Sequence, residues 1–245
     1  MILRILLVAW LSVICQQGMA KDLTIGVEDI EYYPLYAQRS GEYAGFAREF
    51  FDAFAQKYNH KITYKPLPIK RLYSDFFNGR IDLKFPDSPY WMQDKRQKLA
   101  VNYSQSVVDY IDGVMVSKKN LDKGVDHLKV LGSVRGFTPW TYLSQINAGE
   151  ITVKENADID GLIRLIESGR VDGGYFNVSV AQYFLRHTLF EPELVVFDTH
   201  LPYTKDSYLA SSIHHPDVIQ QLDEFIQNEA KFIQTLKTKY EIHSY

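Results

Sequence analysis

The chain has 245 residues, 46% of them hydrophobic, with 27 Lys and Arg against 30 Asp and Glu for a formal charge of −3. Acidic and basic residues are interspersed without a block of either sign, so no surface for nucleic acid or an anionic membrane is indicated. The one cysteine, Cys15, gives no basis for an internal disulfide or for dithiol chemistry.

The chain opens with Arg4, an apolar run over residues 5–14, and Gly18-Met19-Ala20. A short positive start, an apolar middle and small residues flanking one larger one make a secretory leader, with cleavage expected after Ala20. A membrane anchor needs about 20 apolar residues, roughly twice this run. Cys15 follows Ile14, where a lipid-modified cysteine would need a small residue before it, so it is expected to leave with the leader. The exported remainder is predicted to be soluble and periplasmic.

Residues 23–27 (LTIGV) read as a buried strand, followed by a Pro- and Tyr-rich turn. Phe46, Phe50, Phe51, Phe54 and Tyr58 recur at helical spacing over 46–58, a second strand covers 62–67, and Leu72, Phe76 and Phe77 mark a second helix stopped by Asn78-Gly79. The chain then repeats itself. A helix followed by Gly79-Arg80-Ile81-Asp82 recurs as a helix followed by Gly169-Arg170-Val171-Asp172, with Ile81 and Val171 expected to open strands. The second copy is preceded by a strand at 130–134, a helix near 138–147 and a strand at 151–154. Extended segments 104–116 and 194–210 are predicted to connect two lobes. The tail, 218–240, has one broadly helical apolar pattern that would pack back on the first lobe. The expected organisation is a leader over 1–20, a discontinuous first lobe (21–108 plus 200–245) and a second lobe (109–199).

Taken in order, LTIGV with its aromatic-Pro turn, the G-x-Y-x-G-F-x-x-E-F segment from Gly41 to Phe50, the first GRID, Tyr103-Ser104 and the second GRVD run along nearly all of the exported chain. Their order and spacing resemble the periplasmic solute-binding proteins of the amino-acid type, family 3 of the extracellular solute-binding proteins. The resemblance implies an α/β fold of the two-lobed periplasmic binding protein type (type II), with two hinge-crossing segments and closure on a ligand. It also implies delivery of a small polar solute, an amino acid or a related compound, to an inner-membrane ABC permease.

Ligands of open α/β sheets lie at the carboxyl ends of strands. After the first strand stand Glu28, Tyr32, Tyr33 and Tyr36, whose rings are candidates to stack on a ligand. After Ile81 come Lys84, Phe85, Pro86, Asp87 and Ser88, bulkier and more charged than the Gly- and Thr-rich loop that the family's amino-acid binders carry there. The resemblance makes Arg96 the counterpart of the arginine that grips a ligand carboxylate, shifted by about one residue. It also makes the Gly132-Ser133-Val134-Arg135 turn a partner of the same carboxylate, through Ser133 and Arg135. Asn177 stands where amino-acid binders place an ammonium-pairing aspartate, with Tyr175 on the same strand face. An amide lacks the charge that strengthens such a bond.

The sequence is compatible with three readings: a solute-binding protein for import or sensing, a dehydratase-like enzyme on the same scaffold using Glu28, Glu31, Lys84 or Asp87, and an exported structural or adhesive protein. The first is favoured, and no catalytic residue is assigned. His214-His215 and the other scattered histidines do not form a metal pattern. No metal, cofactor or nucleic acid is expected, and a monomer is.

Overall fold

The computed structural model describes residues 20–242, so the expected leader and Cys15 lie outside the described residues. The first half contains β1 (Asp22–Glu28), a ribbon of β2 (Ala37–Arg39) and β3 (Glu42–Ala44), α1 (Phe46–Tyr58), β4 (Lys61–Leu67), α2 (Ile69–Phe77), β5 (Leu83–Asp87), the short turn α3 (Gln93–Arg96) and β6 (Asn102–Tyr103). β7 (Val108–Val116) leads into the second half, built of β8 (Val130–Val134), α4 (Leu143–Asn147), β9 (Thr152–Asn156), α5 (Ile159–Glu167), β10 (Gly173–Asn177), α6 (Val178–Phe184) and β11 (Val196–Phe197). β12 (Thr204–Ser212) returns, and α7 (Pro216–Asn228) and α8 (Ala230–Lys239) follow.

The main sheet runs β4-β1-β5-β12-β7-β10-β8-β9. At one end β1 lies parallel to β4 and β5; at the other, β8 lies parallel to β9 and β10. Parallel neighbours need crossover connections, which the helices provide. Between the two parallel units, β12 and β7 pair antiparallel with each other, from Thr204 opposite Asp112 to Tyr208 opposite Val108. β7 lies within the first extended segment expected to connect the lobes, and β12 takes up the end of the second and runs on to Ser212.

The sequence repeat is a packing device used twice. Gly26 on β1 faces Leu72 of α2 and Ile81, where an added Cβ would fall 2.7 and 2.3 Å from their Cδ1 atoms. Gly132 on β8 faces Leu162 of α5 and Val171 in the same way, at 2.5 and 3.3 Å. Each glycine lets a helix and the following apolar residue close down on the sheet. The aspartate of each copy then clamps the neighbouring strand. Asp82 accepts from the Thr24 amide at 2.7 Å and donates its own amide to the Thr24 carbonyl at 2.9 Å. Asp172 accepts from the Val130 and Lys129 amides at 2.7 and 2.9 Å and donates to the Val130 carbonyl at 2.8 Å. Ile81 and Val171 therefore belong to the turns, and β5 and β10 start at Leu83 and Gly173, two residues later than the periodicity predicts.

Helix α1 carries the core of the first half. Phe46, Phe50, Phe51 and Phe54 are each 0% exposed, and burying each contributes roughly 1.5–3 kcal/mol. Asn59, in the left-handed region at φ 55°, ends the helix. The tail is not one helix. It breaks at Glu229, and α7 and α8 both return to α1, with Phe225 against Phe50 at 5.4 Å and Tyr240 and Lys239 both bonded to Glu49.

Candidate functional site

A cavity of about 390 Å³ lies where the two parallel units meet the crossing strands, and its walls come from both halves. From the first half, the chain leaving β1 turns back on itself through a Tyr32–Tyr36 bridge and docks on the start of α1 through the Pro34 and Leu35 carbonyls. That turn aims Glu28, Tyr32 and Tyr36 into the cavity, joined by Tyr73 from α2 and by Trp91. From the crossing strands come Tyr110 and Asp112 on β7 and Tyr208 on β12. From the second half come Phe137, Thr138 and Trp140, in the turn after β8.

Tyr208 joins the walls. Its ring stacks on Tyr110 at 4.0 Å and 13°, its edge meets Trp91 at 6.0 Å, and its hydroxyl lies 3.3 Å from that of Tyr32. Tyr32 in turn stacks on Phe137 of the opposite half at 5.5 Å and meets the edge of Phe176 at 5.6 Å. The halves thus touch through aromatic faces on one side of the cavity.

Beneath the first-half wall lies an ion cluster closed on itself. Asp87, fully buried, accepts from Arg96 Nη2 at 2.7 Å and Nη1 at 3.1 Å, from Lys84 Nζ at 3.2 Å and from the Ser88 amide at 2.9 Å, with the Ser211 hydroxyl also donating to it. Arg96 also donates from Nε to the Trp91 carbonyl at 2.7 Å and from Nη1 to the Tyr103 hydroxyl at 2.5 Å. Lys84 Nζ donates to the Pro86 carbonyl at 2.5 Å and sits 4.4 Å from the Tyr73 ring centre. Burial pulls the Lys84 ammonium below the ordinary lysine range, and Asp87 works against that pull. Burial also raises the Glu28 carboxyl, while Lys84 and the Tyr36 hydroxyl, donating to it at 2.8 Å, act in the opposite sense.

Asp112 is the other acid of the cavity. It is part-buried, opposite Asn177 across the β7–β10 register. Burial pushes its carboxyl up to about 7; the Asn177 amide lowers it and Asp206 raises it. The amide is near enough to favour the ionised form, yet Asp112 Oδ1 and Asn177 Nδ2 are both buried without a partner in hydrogen-bond geometry.

Of the residues the sequence singled out, Glu28, Tyr32 and Tyr36 line this cavity. Tyr33 faces a second cavity of about 280 Å³, with Arg39 stacked 3.8 Å over its ring. Lys84, Asp87 and Arg96 form the buried cluster, and Phe85 packs on Phe51 at 5.2 Å. Ser133 is buried, its hydroxyl 3.3 Å from the Phe137 carbonyl. Arg135 is exposed beside Gly136 at the cavity edge. Tyr175 is buried, its hydroxyl 3.1 Å from that of Thr204. Asn177 caps α6, accepting from the Val180 amide at 3.1 Å. Sequence reasoning missed Tyr73, Trp91, Tyr110, Asp112, Phe137, Trp140 and Tyr208. Tyr110 and Asp112 did carry a signal, two residues apart on one face of a predicted crossing segment.

Among the described residues one group, Asp122, Asp198 and His200, brings three potential metal-ligand atoms within 4.8 Å of one another. It is not part of the cavity wall, and the Asp198 carboxylate already accepts the Asp122 and His200 amides at 3.0 Å. No described helix is long and apolar enough to cross a membrane.

A sheet divided into two parallel units by a pair of crossing strands, with a cavity at the crossing, defines a two-lobed solute-binding protein of type II. Residues 23–243 match the bacterial extracellular solute-binding proteins, family 3, and the chain belongs to that family. Its fold is similar to an arginine transport-system periplasmic binding protein from Legionella pneumophila (TM-score 0.69, 14% identity, covering 90% of this chain and 100% of that one). It is also similar to the GluR0 ligand-binding core in complex with L-glutamate (TM-score 0.71, 16% identity, 91% and 99% covered). A third similar structure is an ancestral amino-acid-binding protein described as a precursor of cyclohexadienyl dehydratase (TM-score 0.67, 17% identity, 89% and 94% covered). Comparison with curated protein sequences finds no match.

Proposed function

We propose that this protein captures a small polar solute in the cavity between its halves, in the periplasm, and delivers it to an inner-membrane ABC permease without changing it. The observation that carries the reading is the composition of the cavity wall: one set of residues follows β1, another follows β8, and a third lies on the crossing strands between them. A solute touching all three links the halves, and hinge closure around it would give the permease a distinct liganded shape. Membership of family 3 supports binding and transport. The fold likeness to a transport-system binding protein agrees with it.

The test is mass spectrometry of small molecules retained by the protein purified from the periplasm, followed by adding each back to ligand-stripped protein. The expected result is a retained solute that raises the melting temperature, with a rise that continues logarithmically with its concentration above Kd, is recovered unchanged, and makes the protein more compact in X-ray scattering. A solute converted to product would replace this reading with a catalytic one, in which Glu28, held toward its protonated form in the cavity, is the candidate acid.

A further inference from the structure

The two buried cations of the first-half wall already have partners within the protein. Lys84 and Arg96 are both bound to Asp87, and Lys84 also faces Glu28. No lysine, arginine or histidine lines the cavity among the described residues, whereas two carboxyl groups do. Glu28 is occupied by the Tyr36 hydroxyl, but Asp112 Oδ1 is buried with no hydrogen-bond partner. Tyr110 and Tyr208, neighbours of Asp112 on the crossing strands, lie with Tyr32, Trp91 and Phe137 around the same space. Aromatic faces attract cations, and a carboxylate among them adds a charge-assisted acceptor. A ligand carboxylate entering this space would meet two acids in its wall, with Arg135 only at its edge.

We infer that the solute is a small organic cation, an ammonium or guanidinium compound without a carboxylate, whose charged end sits against Asp112 within the ring of Tyr32, Tyr110, Tyr208, Trp91 and Phe137. This rests on the solute-binding reading above and narrows it. The cation is recognised at the crossing strands, and Arg96 serves the protein's own Asp87. The groups facing Asp112 are Asn177 on β10, Thr204, Asp206 and Tyr208 on β12, Tyr110 and Tyr175, and Tyr32 from the turn after β1. Asp206 is the charged member of that set, and its sign adds to the attraction for a cation. The Asp112 carboxyl therefore gains charge, and with it cation affinity, as the pH rises through neutrality.

The test titrates three matched pairs into ligand-stripped full-length exported protein: agmatine against arginine, tyramine against tyrosine, and choline against betaine. Binding is followed by calorimetry and by the fluorescence of Trp91 and Trp140. The expected result is that at least one carboxylate-free member binds about tenfold or more tightly than its partner. That member should bind about tenfold more weakly to the Asp112→Asn variant, and more weakly to wild-type protein at about pH 5.5 than at about pH 8. Because the matched pairs and the pH comparison use wild-type protein, they stand even if the variant fails to fold. Equal or tighter binding of the carboxylated partners overturns the inference, most directly if that binding is lost in Arg135→Ala. A parallel panel of sugars, dicarboxylates and short peptides separates the two levels. A ligand found there with none among the cations overturns the cation assignment and leaves solute binding intact, whereas no ligand in either panel and none retained on purification overturns both.

Discussion

Arg96 grips Asp87 with both terminal nitrogens, at 2.7 and 3.1 Å, deep under the wall of the cavity. The guanidinium and carboxylate forks match in shape, which makes the pair strong and directional. Removing one partner strands the other as a buried charge. Asp87→Ala, which abandons Lys84 as well, is expected to cost about 3–5 kcal/mol in urea unfolding. A loss under about 1 kcal/mol would show that the cluster is not the closed unit described above.

Asp112 sets a pH dependence whose sign follows from its surroundings. In the folded chain burial holds its proton up to about 7, while an unfolded aspartate releases it near 3.9. Between those values the native state binds more protons, so this residue's contribution to stability falls as pH rises from about 4 to about 7. Asp112→Asn removes the ionisation. Discounting for the residue's partial exposure, the variant is expected to gain about 1–2 kcal/mol on wild type at pH 7.5 in the absence of ligand, and little at pH 4. Urea titrations at both values check this, and parallel pH profiles for the two proteins would contradict it.

Phe225 ties the returning tail to the first half. It is 2% exposed, with its ring 5.4 Å from Phe50 and 5.8 Å from Phe54. Phe225→Ala leaves a cavity among rings that cannot collapse freely, and a loss of about 3–5 kcal/mol is expected by chemical denaturation. A cost near that of an exposed phenylalanine would mean that α7 adds little to the core.

Asp82 and Asp172 do the same work in the two halves, each holding a neighbouring strand by its backbone amides. Substituting either by alanine leaves at least one amide without its partner, at an expected cost of about 1–3 kcal/mol. Since they lie in separate packing units, the double variant should lose close to the sum. Strong non-additivity in the unfolding free energies would show that the two copies are coupled through the crossing strands.

The positions of helices and strands were legible because local chemistry decides them. Phe46, Phe50 and Phe54 share one helix face by spacing alone, and Gly79 and Gly169 supply the positive φ that ends their helices. The doubling of the GRID and GRVD segments likewise announced two similar units, since each carries a glycine that ends a helix and an aspartate that holds the neighbouring strand. The family likeness followed from the order of such segments.

The cavity wall was not legible in that way. Glu28 and Tyr32 follow the first strand directly and were found, but Asp112 and Tyr208 face that space only because β7 and β12 pair in one register between the two units. Residues 96 apart in sequence share a wall through long-range pairing, for which no local pattern exists. Arg96 illustrates the converse. Its place in the chain resembles that of a ligand clamp, yet Asp87, nine residues earlier, lies within reach of both its terminal nitrogens once β5 and α3 fold together. By itself the sequence determined the elements, their repeat and the family, because those rest on spacing along the chain; the tertiary structure decided which charges pair with one another and which face the cavity, because that rests on distances across it.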